Sequence, residues 1–330
     1  MKLVWVSSAE GPRFAEEMIR FTEEIHALGP LKMFEKFPKE TPDLASKPAG
    51  TQSAKSDLME STTMYAAIKD EVKKLLRTDR IKGFLALKEE NGHIMPHLFL
   101  SPDEVDQLVI GDAAVAGDAR YPLTKILRSL FQQYPEERIG ILVRGCDQRS
   151  LRTLAAWNQI PLEQVVPVGV ACSEELAEAC ACVQPYPDEW LEGQRVSPRD
   201  PRPVEWEQKP AQQRLRLWMA QFEKCMKCYG CRNVCPVCFC NECRLESKDV
   251  VSTGEIPPQA LMFHIVRALH MIGRCVDCGL CQEACPANIP LRKLYKKVND
   301  IIDTHFKCRP GIEQVDPSPL HNIAEPPLTV

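Results

Sequence analysis

The sequence predicts an α/β domain of mixed α+β character built on a βαβ unit, followed by a smaller helical domain, in a chain of 330 residues. Two short apolar runs flanking a helical stretch between residues 139 and 170 predict the first. A cysteine pattern that occurs twice after residue 224, each time beside an amphipathic stretch, predicts the second. Prolines concentrated at 185–210 separate them, so the expected boundaries are 1–184, a linker at 185–210, a second domain at 211–306 and an extended tail at 307–330.

In order, residues 12–28 place Phe14, Met18, Phe21, Ile25 and Leu28 on one helical face. Residues 38–56 hold almost no large apolar side chain and read as a surface loop. A second amphipathic helix follows at 62–77, through Tyr65, Ile68, Val72, Leu75 and Leu76. Two apolar runs at 83–87 and 93–100 flank Asn91-Gly92, a dipeptide suited to the positive φ angles of a tight hairpin turn. Ser101 then caps a short helix opened by Pro102, and residues 121–134 form another, with Leu123, Ile126, Leu127, Leu130, Phe131 and Tyr134 on one stripe.

The run at 139–143, a break at Gly145, a helix at 149–158 and the run at 165–170 make the βαβ unit. Its crossover is expected to be right-handed and its strands parallel. Cys146 and Cys172 then follow the carboxyl ends of the two strands, the edge at which open α/β sheets bind ligands. Trp190 and Trp206 indicate that the linker lies on protein. Helices at 211–223, 259–272 and 290–305 are expected to brace the second domain through Leu215, Trp218, Phe222, Ile265, Leu269, Leu291, Leu294, Val298 and Ile301.

Of 16 cysteines, eight form Cys225-x2-Cys228-x2-Cys231-x3-Cys235-Pro236 and Cys275-x2-Cys278-x2-Cys281-x3-Cys285-Pro286. Three thiolates at this spacing wrap three corners of a 4Fe-4S cube, and the cysteine before proline reaches the neighbouring cube. Cys225, Cys228, Cys231 and Cys285 are therefore expected to hold one cluster, and Cys275, Cys278, Cys281 and Cys235 the other. Zinc fits poorly, because a zinc ribbon needs neither the third cysteine nor the Cys-Pro step. A disulfide framework belongs to secreted chains, and residues 1–8 lead into Glu10, Arg13, Glu16 and Glu17 with no long apolar core or cleavage site. The expected compartment is a reducing cytoplasm.

Further thiols extend the pattern. Cys238, Cys240 and Cys243 lie in the stretch between the two motifs, where an ordinary two-cluster ferredoxin needs none. With Cys146 and Cys172 they make a third 4Fe-4S cluster the expectation, held by Cys146, Cys172, Cys240 and Cys243, with Cys238 as the substitute. Cys180 and Cys182 sit in an acidic stretch without a partner motif, and Cys308 stands alone in the tail. Arg144, Asp147 and Arg149 around Cys146 are candidates for binding a phosphate or tuning a redox centre, or equally for capping a helix and pairing at the surface.

Other chemistry is excluded or thin. The formal charge of −4 gives no basic face for nucleic acid. No run approaches the eighteen or so apolar residues of a membrane span. Neither GxGxxG nor GxxxxGK[ST] occurs, and His93, His97, His264 and His270 form no metal-ligand pattern. No serine, histidine and carboxylate set suggests hydrolysis.

The residues Arg144-Gly145-Cys146-Asp147-Gln148-Arg149-Ser150-Leu151, then Asn158-Gln159-Ile160 and Val168-Gly169-Val170-Ala171-Cys172, resemble the core of the beta-subunit family of deazaflavin-coenzyme hydrogenases and formate dehydrogenases. The run Cys-Pro-Val-Cys-Phe-Cys-Asn-Glu-Cys at 235–243 is similar to a motif of that family, and the resemblance covers residues 60–300. It implies an iron-sulfur electron-transfer subunit of a multisubunit anaerobic oxidoreductase, beside formate dehydrogenase, hydrogenase or heterodisulfide-reductase-like flavoprotein subunits. In the family's best-known members it also implies FAD and hydride exchange with the deazaflavin. No glycine-rich flavin cradle is visible here, and Ala171 and Cys180-x-Cys182 depart from the family pattern.

The expected role is thus relay of single electrons between partner subunits, without bond-making chemistry of its own. Two other readings stay open: a self-sufficient FAD-dependent deazaflavin or nicotinamide oxidoreductase, and a structural scaffold. Bound flavin with direct activity on the dissolved coenzyme marks the first, and clusters that stay unreduced during turnover mark the second.

Overall fold

The computed structural model describes residues 65–90, 93–111, 120–198, 208–247 and 260–312. The helix expected at 12–28, the loop at 38–56, Trp206 and most of the tail lie outside them. All the described residues belong to one compact unit, 57–330.

At its centre is a mixed sheet. Strands β1 (Gly83–Glu90), β2 (His93–Phe99), β3 (Leu108–Val109), β4 (Ile139–Val143) and β5 (Val165–Gly169) run in the order β2-β1-β4-β5, with β3 also paired to β1. β1, β4 and β5 are mutually parallel, whereas β2 and β3 are antiparallel to β1. Glu90 faces His93 across the β1–β2 pair, which leaves a two-residue connection at Asn91-Gly92, as the hairpin reading requires. β2 lies at the sheet edge, where Pro96 deprives no inner strand of a donor. β4 is flanked on both sides and buried throughout, which explains its unbroken apolar run.

Helices cover the sheet with the faces the periodicity marked. α1 (Ala66–Arg77) buries Ile68, Val72, Leu75 and Leu76, and α2 (Leu123–Gln133) buries Leu123, Leu127 and Phe131. Tyr134 closes α2 but remains exposed. The Ser101 hydroxyl accepts from the Asp103 N–H at 3.3 Å, starting the 3-10 turn Pro102–Gln107. α3 (Gly145–Ala156) is the crossover helix, and β5 lies parallel to β4 with Ile139 opposite Val165 and Val143 opposite Gly169.

After α4 (Glu174–Ala179) the chain turns back across the carboxyl ends of the strands. Leu191 N–H donates to Gly169 O at 3.0 Å, Ala171 N–H to Glu192 O at 3.0 Å and Cys172 N–H to Pro185 O at 2.8 Å. A Cβ on Gly145 would stand 2.1 Å from Gln184 O, so the returning backbone passes where only glycine fits. The described part of the proline-rich stretch therefore lies on the sheet edge, with Tyr186 and Trp190 in ring contact at 5.4 Å.

The C-terminal helices are α5 (Ala211–Phe222), α6 (Gly230–Asn233), α7 (Ala260–His270), α8 (Leu280–Glu283) and α9 (Leu291–Phe306). Here the expected packing face needs correction. Leu215, Ile265, Leu269 and Ile301 are 59%, 42%, 58% and 49% exposed, while Phe222, Phe263, Leu291, Tyr295 and Ile302 are buried. α7 is apolar on nearly every side, so spacing could not select its inward face. The packing selects Phe263, His264 and Arg267, with His264 stacked on Phe222 at 4.6 Å. The start of the tail is also packed: Cys308 is 5% exposed, and Arg152 Nη1 donates to Ile312 O at 3.4 Å.

Candidate metal centres

The two cysteine motifs fold as near copies, fifty residues apart. Lys227 and Asp277, each two residues past the first cysteine, both have φ of 54°. Tyr229 and Gly279, two further on, have φ of 60° and 82° and open the short helices α6 and α8. The bonds repeat as well: Arg232 N–H to Tyr229 O and Gln282 N–H to Gly279 O, both 2.9 Å, and Cys235 N–H to Arg232 O and Cys285 N–H to Gln282 O, both 3.2 Å.

Alternating left-handed residues turn successive N–H groups to one side, making a concavity suited to an anion. Lys227 N–H donates to Cys225 Sγ at 3.3 Å and Ile289 N–H to Cys285 Sγ at 3.5 Å. Backbone N–H groups of Val237, Asp277 and Leu280 likewise serve Cys235, Cys275 and Cys278. Donors aimed at sulfur are what thiolates bound to an iron-sulfur core require, since they stabilise the charge on the sulfur.

The copies bring the expected thiols together. Cys231 lies in the electrostatic field of Cys225, Cys228 and Cys285. Cys281 lies in that of Cys278, Cys275 and Cys235, and those four sulfur-bearing residues line one small cavity with Arg267 and Tyr295. Burial pushes the thiols up, Cys231 to about 11 and Cys275 to about 12, with neighbouring thiols adding to the shift. Metal-free, these cysteines favour the neutral thiol; a cationic core is what would ionise them. Among the described residues no three His, Cys, Asp or Glu side chains converge as a metal-ion site.

Arg267 lies between the sets, 2% exposed. Its Nη2 donates to Cys231 O at 2.9 Å, its Nη1 points at Cys238 Sγ at 3.9 Å, and its guanidinium lies 5.6 Å from the Tyr295 ring centre. Burial opposes its charge, but Tyr295, Cys235, Cys231 and Cys238 more than offset that and hold it charged.

The other candidate residues fall in three places. Cys238, Cys240 and Cys243 line a cavity of about 430 Å³ with Lys125, Arg128 and Arg274. Phe239 beside them is capped by Arg274 at 4.6 Å and by Arg128 at 5.9 Å. Cys146 lies in the fields of Cys182, Arg120 and Arg149. Cys172 lines a separate cavity with Ser173 and Gly193.

Arg144, Asp147 and Arg149 serve the backbone. Arg144 N–H donates to Asp147 Oδ2 at 3.0 Å, which caps α3, and Arg144 Nη2 bonds Ile110 O. Arg149 donates from Nε to Val276 O at 3.0 Å and from Nη1 to Gln184 O at 3.2 Å, tying β4's edge to the second motif. Sequence reasoning missed Arg120, Arg267 and Arg292, because nothing in their neighbourhoods distinguishes them from surface arginines. It also undervalued Cys180, whose Sγ accepts from Arg120 Nη1 at 3.2 Å.

Known proteins share part of this chain. It is 40% identical over 109 residues, 33% of its length, to the F420-dependent formate dehydrogenase subunit beta of Methanocaldococcus jannaschii. It is 47% identical over 106 residues, 32% of its length, to the F420-dependent formate dehydrogenase 1 subunit beta of Methanococcus maripaludis. The chain is a relative of these formate dehydrogenase beta subunits. This bears out the resemblance carried by its motifs. The matched segments cover 28% and 27% of the two beta subunits, so the chain spans only about a quarter of the length of the relatives it matches. No protein-family profile matches it. As a relative of oxidoreductase subunits with 16 cysteines, it fits iron-sulfur chemistry. Among the described residues no helix is long and apolar enough to cross a membrane.

Proposed function

We propose that this beta-subunit relative is the electron-relay subunit of a multisubunit oxidoreductase, passing single electrons between partner subunits in the cytoplasm without a catalytic centre of its own. Its partners are of the formate dehydrogenase, hydrogenase or heterodisulfide-reductase-like flavoprotein kind, and residues 211–306 act as its ferredoxin-like part. Cys225, Cys228, Cys231 and Cys285 hold one 4Fe-4S cluster, and Cys275, Cys278, Cys281 and Cys235 the other. When bound, the clusters accept and release one electron each.

The observation that carries this reading is the duplicated loop: two motifs with left-handed residues at the same positions, matching backbone hydrogen bonds, and N–H groups aimed at sulfur in each. The chain's part is to hold the thiols in fixed positions and supply those donors. Cys285 lies in the electrostatic field of Cys231 and Cys235 in that of Cys281, which supports the exchange of one thiol between the copies.

The test is iron and acid-labile sulfide counted on the complex purified without oxygen, with low-temperature EPR during turnover. About eight or more irons per chain and signals that appear on substrate addition are expected. Zinc in place of iron, or clusters that stay unreduced through turnover, would overturn the relay. Flavin bound to the subunit, with direct activity on dissolved deazaflavin or nicotinamide, would replace it with an oxidoreductase reading.

A further inference from the structure

The first cysteine motif has a cationic flank that holding thiols does not explain. Lys125, Arg128, Arg244, Arg267 and Arg274 line the cavity of about 430 Å³ beside residues 238–246. We propose that this cavity receives an acidic segment of a partner subunit and seats that partner against the first motif. The inference rests on the relay reading above and deepens it, by naming the docking face and the chemistry that fits it.

The cations there are not matched by carboxylates. Two glutamates line the cavity, and one of them, Glu246, is ion-paired with Arg232. The other, Glu242, is exposed and faces all five cations named above. None of the five makes an ion pair among the described residues. Lys125 Nζ donates to Asn233 O at 2.8 Å and Arg232 O at 3.4 Å, and Arg128 Nε to Gln159 Oε1 at 3.0 Å, all uncharged acceptors. Arg267 is 2% exposed, yet its Nε has no hydrogen-bond partner among the described residues. A buried guanidinium N–H without an acceptor is costly. The Arg274 guanidinium lies 3.9 Å from the Trp157 ring centre and 4.6 Å from that of Phe239. Stacking takes up the faces of a guanidinium and leaves its N–H edge for an anion.

The crowding of like charge shows in the neighbouring groups. Burial pushes Lys125 down, and Arg232 and Arg267 add to that shift against the opposing Cys238 and Cys235. Burial likewise pushes down His270, another residue of the wall, and Arg274 and Arg267 add to it. Where cations disfavour a further proton, a carboxylate is favoured.

Position selects a protein over a free anion. Arg267 stands between the cavity and the first motif, with Nη1 pointing at Cys238 Sγ at 3.9 Å and Nη2 donating to Cys231 O at 2.9 Å. A segment seated in the cavity is therefore one side chain away from the first motif. Cys240, Asn241, Glu242 and Arg244 form an exposed rim, which leaves room for a larger body to approach. Encounters between redox proteins use small faces and are steered by opposite charge.

Binding of the full chain to its partner subunits, measured without oxygen by calorimetry, tests the assignment. Arg244→Glu and Arg128→Gln are each expected to weaken that binding at least about tenfold and to flatten its dependence on salt. Arg244 is exposed and makes no side-chain hydrogen bond among the described residues, so its replacement leaves the fold intact. Arg77→Glu, an exposed position on α1 that makes the same change in net charge as Arg244→Glu, should leave the affinity unchanged. In the assembled complex, Asn241→p-benzoylphenylalanine is expected to cross-link on illumination to a partner peptide rich in Asp and Glu. Unchanged affinity in both cavity variants, an equal loss in Arg77→Glu, or a cross-link to the chain's own residues 248–259 or to a partner peptide without acidic residues would overturn the assignment. So would pyrophosphate binding that both cavity variants abolish while partner affinity stays unmoved, which would make the cavity a small-anion site. A complex without iron whose affinities still fall as expected removes the relay and keeps the docking face. Turnover EPR signals beside unmoved affinities remove the face and keep the relay.

Discussion

Replacing Gly145 by alanine tests the crossing of the sheet edge most directly. The added Cβ would meet Gln184 O at 2.1 Å, Tyr186 O at 2.7 Å and Tyr186 N at 3.0 Å, all backbone atoms that no rotamer change can move. The returning segment must shift, and it is held by Cys172 N–H on Pro185 O and by Arg149 Nη1 on Gln184 O. Overpacking costs about 1–3 kcal/mol, and each weakened hydrogen bond adds roughly 1 kcal/mol. Alanine in the first turn of α3 returns up to about 1 kcal/mol through helix propensity. The net expectation is a loss of about 3 kcal/mol, or roughly 6–12 °C in the thermal midpoint for a unit of this size. Gly279→Ala is the control: its φ of 82° strains an alanine, but the nearest heavy atom is the flexible Arg292 side chain at 3.5 Å. It should cost only about 1–2 kcal/mol. The assay is thermal unfolding of both variants without oxygen, followed by circular dichroism. Equal losses, or a milder one at Gly145, would refute the argument.

Two further perturbations read the interior. Arg267→Met removes the cation shared by both motif sets; at an effective dielectric of about 20, a charge several ångströms away is worth roughly 2 kcal/mol, or about 85 mV for one electron. Redox titration should show both motif centres shifted to more negative midpoints by that order and Arg267→Lys shifted less; unmoved midpoints would mean that the charge acts elsewhere. His264 is held down to about 4 by burial first and by Arg267 second, against about 6.5 in the unfolded chain. Between those values the unfolded state binds the extra proton, so this contribution is full above pH 6.5 and is lost as pH falls toward 4, by up to roughly 3 kcal/mol. His264→Phe should flatten the denaturation midpoint against pH over that window, and parallel curves for the two proteins would count against it.

Much of the sheet was legible because local rules determine it. The β4–α3–β5 unit follows from two apolar runs around a helical stretch, and the hairpin from Asn91-Gly92 between runs that pair from Phe84–Phe99 to Glu90–His93. The motif cysteines were legible through their spacing, and Cys231 and Cys281 each lie in the electrostatic field of three other motif cysteines. What escaped depends on contacts between distant stretches. Cys180 and Cys182 look stranded until residues 184–192 fold back over the sheet edge and Arg120 reaches across. Cys308 looks isolated until the start of the tail packs beside Arg149 and Cys275. Leu215, Ile265 and Leu269 sit at helical spacing yet face outward, because periodicity identifies an apolar stripe without saying what stands opposite it.

The duplicated loops differ in one telling place. Position 227 carries a lysine and position 277, with the same backbone angle, an aspartate. Lys227 eases the ionisation of Cys225, whereas Asp277 opposes that of Cys275 even with Arg292 bonded to it at 2.6 Å. Two copies of one scaffold thus carry side chains of opposite charge at one loop position, the aspartate held by Arg292 Nε and Nη2. Chemically identical centres seated in them would start at unequal energies, and an added electron would settle more readily beside the lysine than beside the aspartate. The duplication supplies two stations of one design, and a single pair of side chains tilts the ground between them.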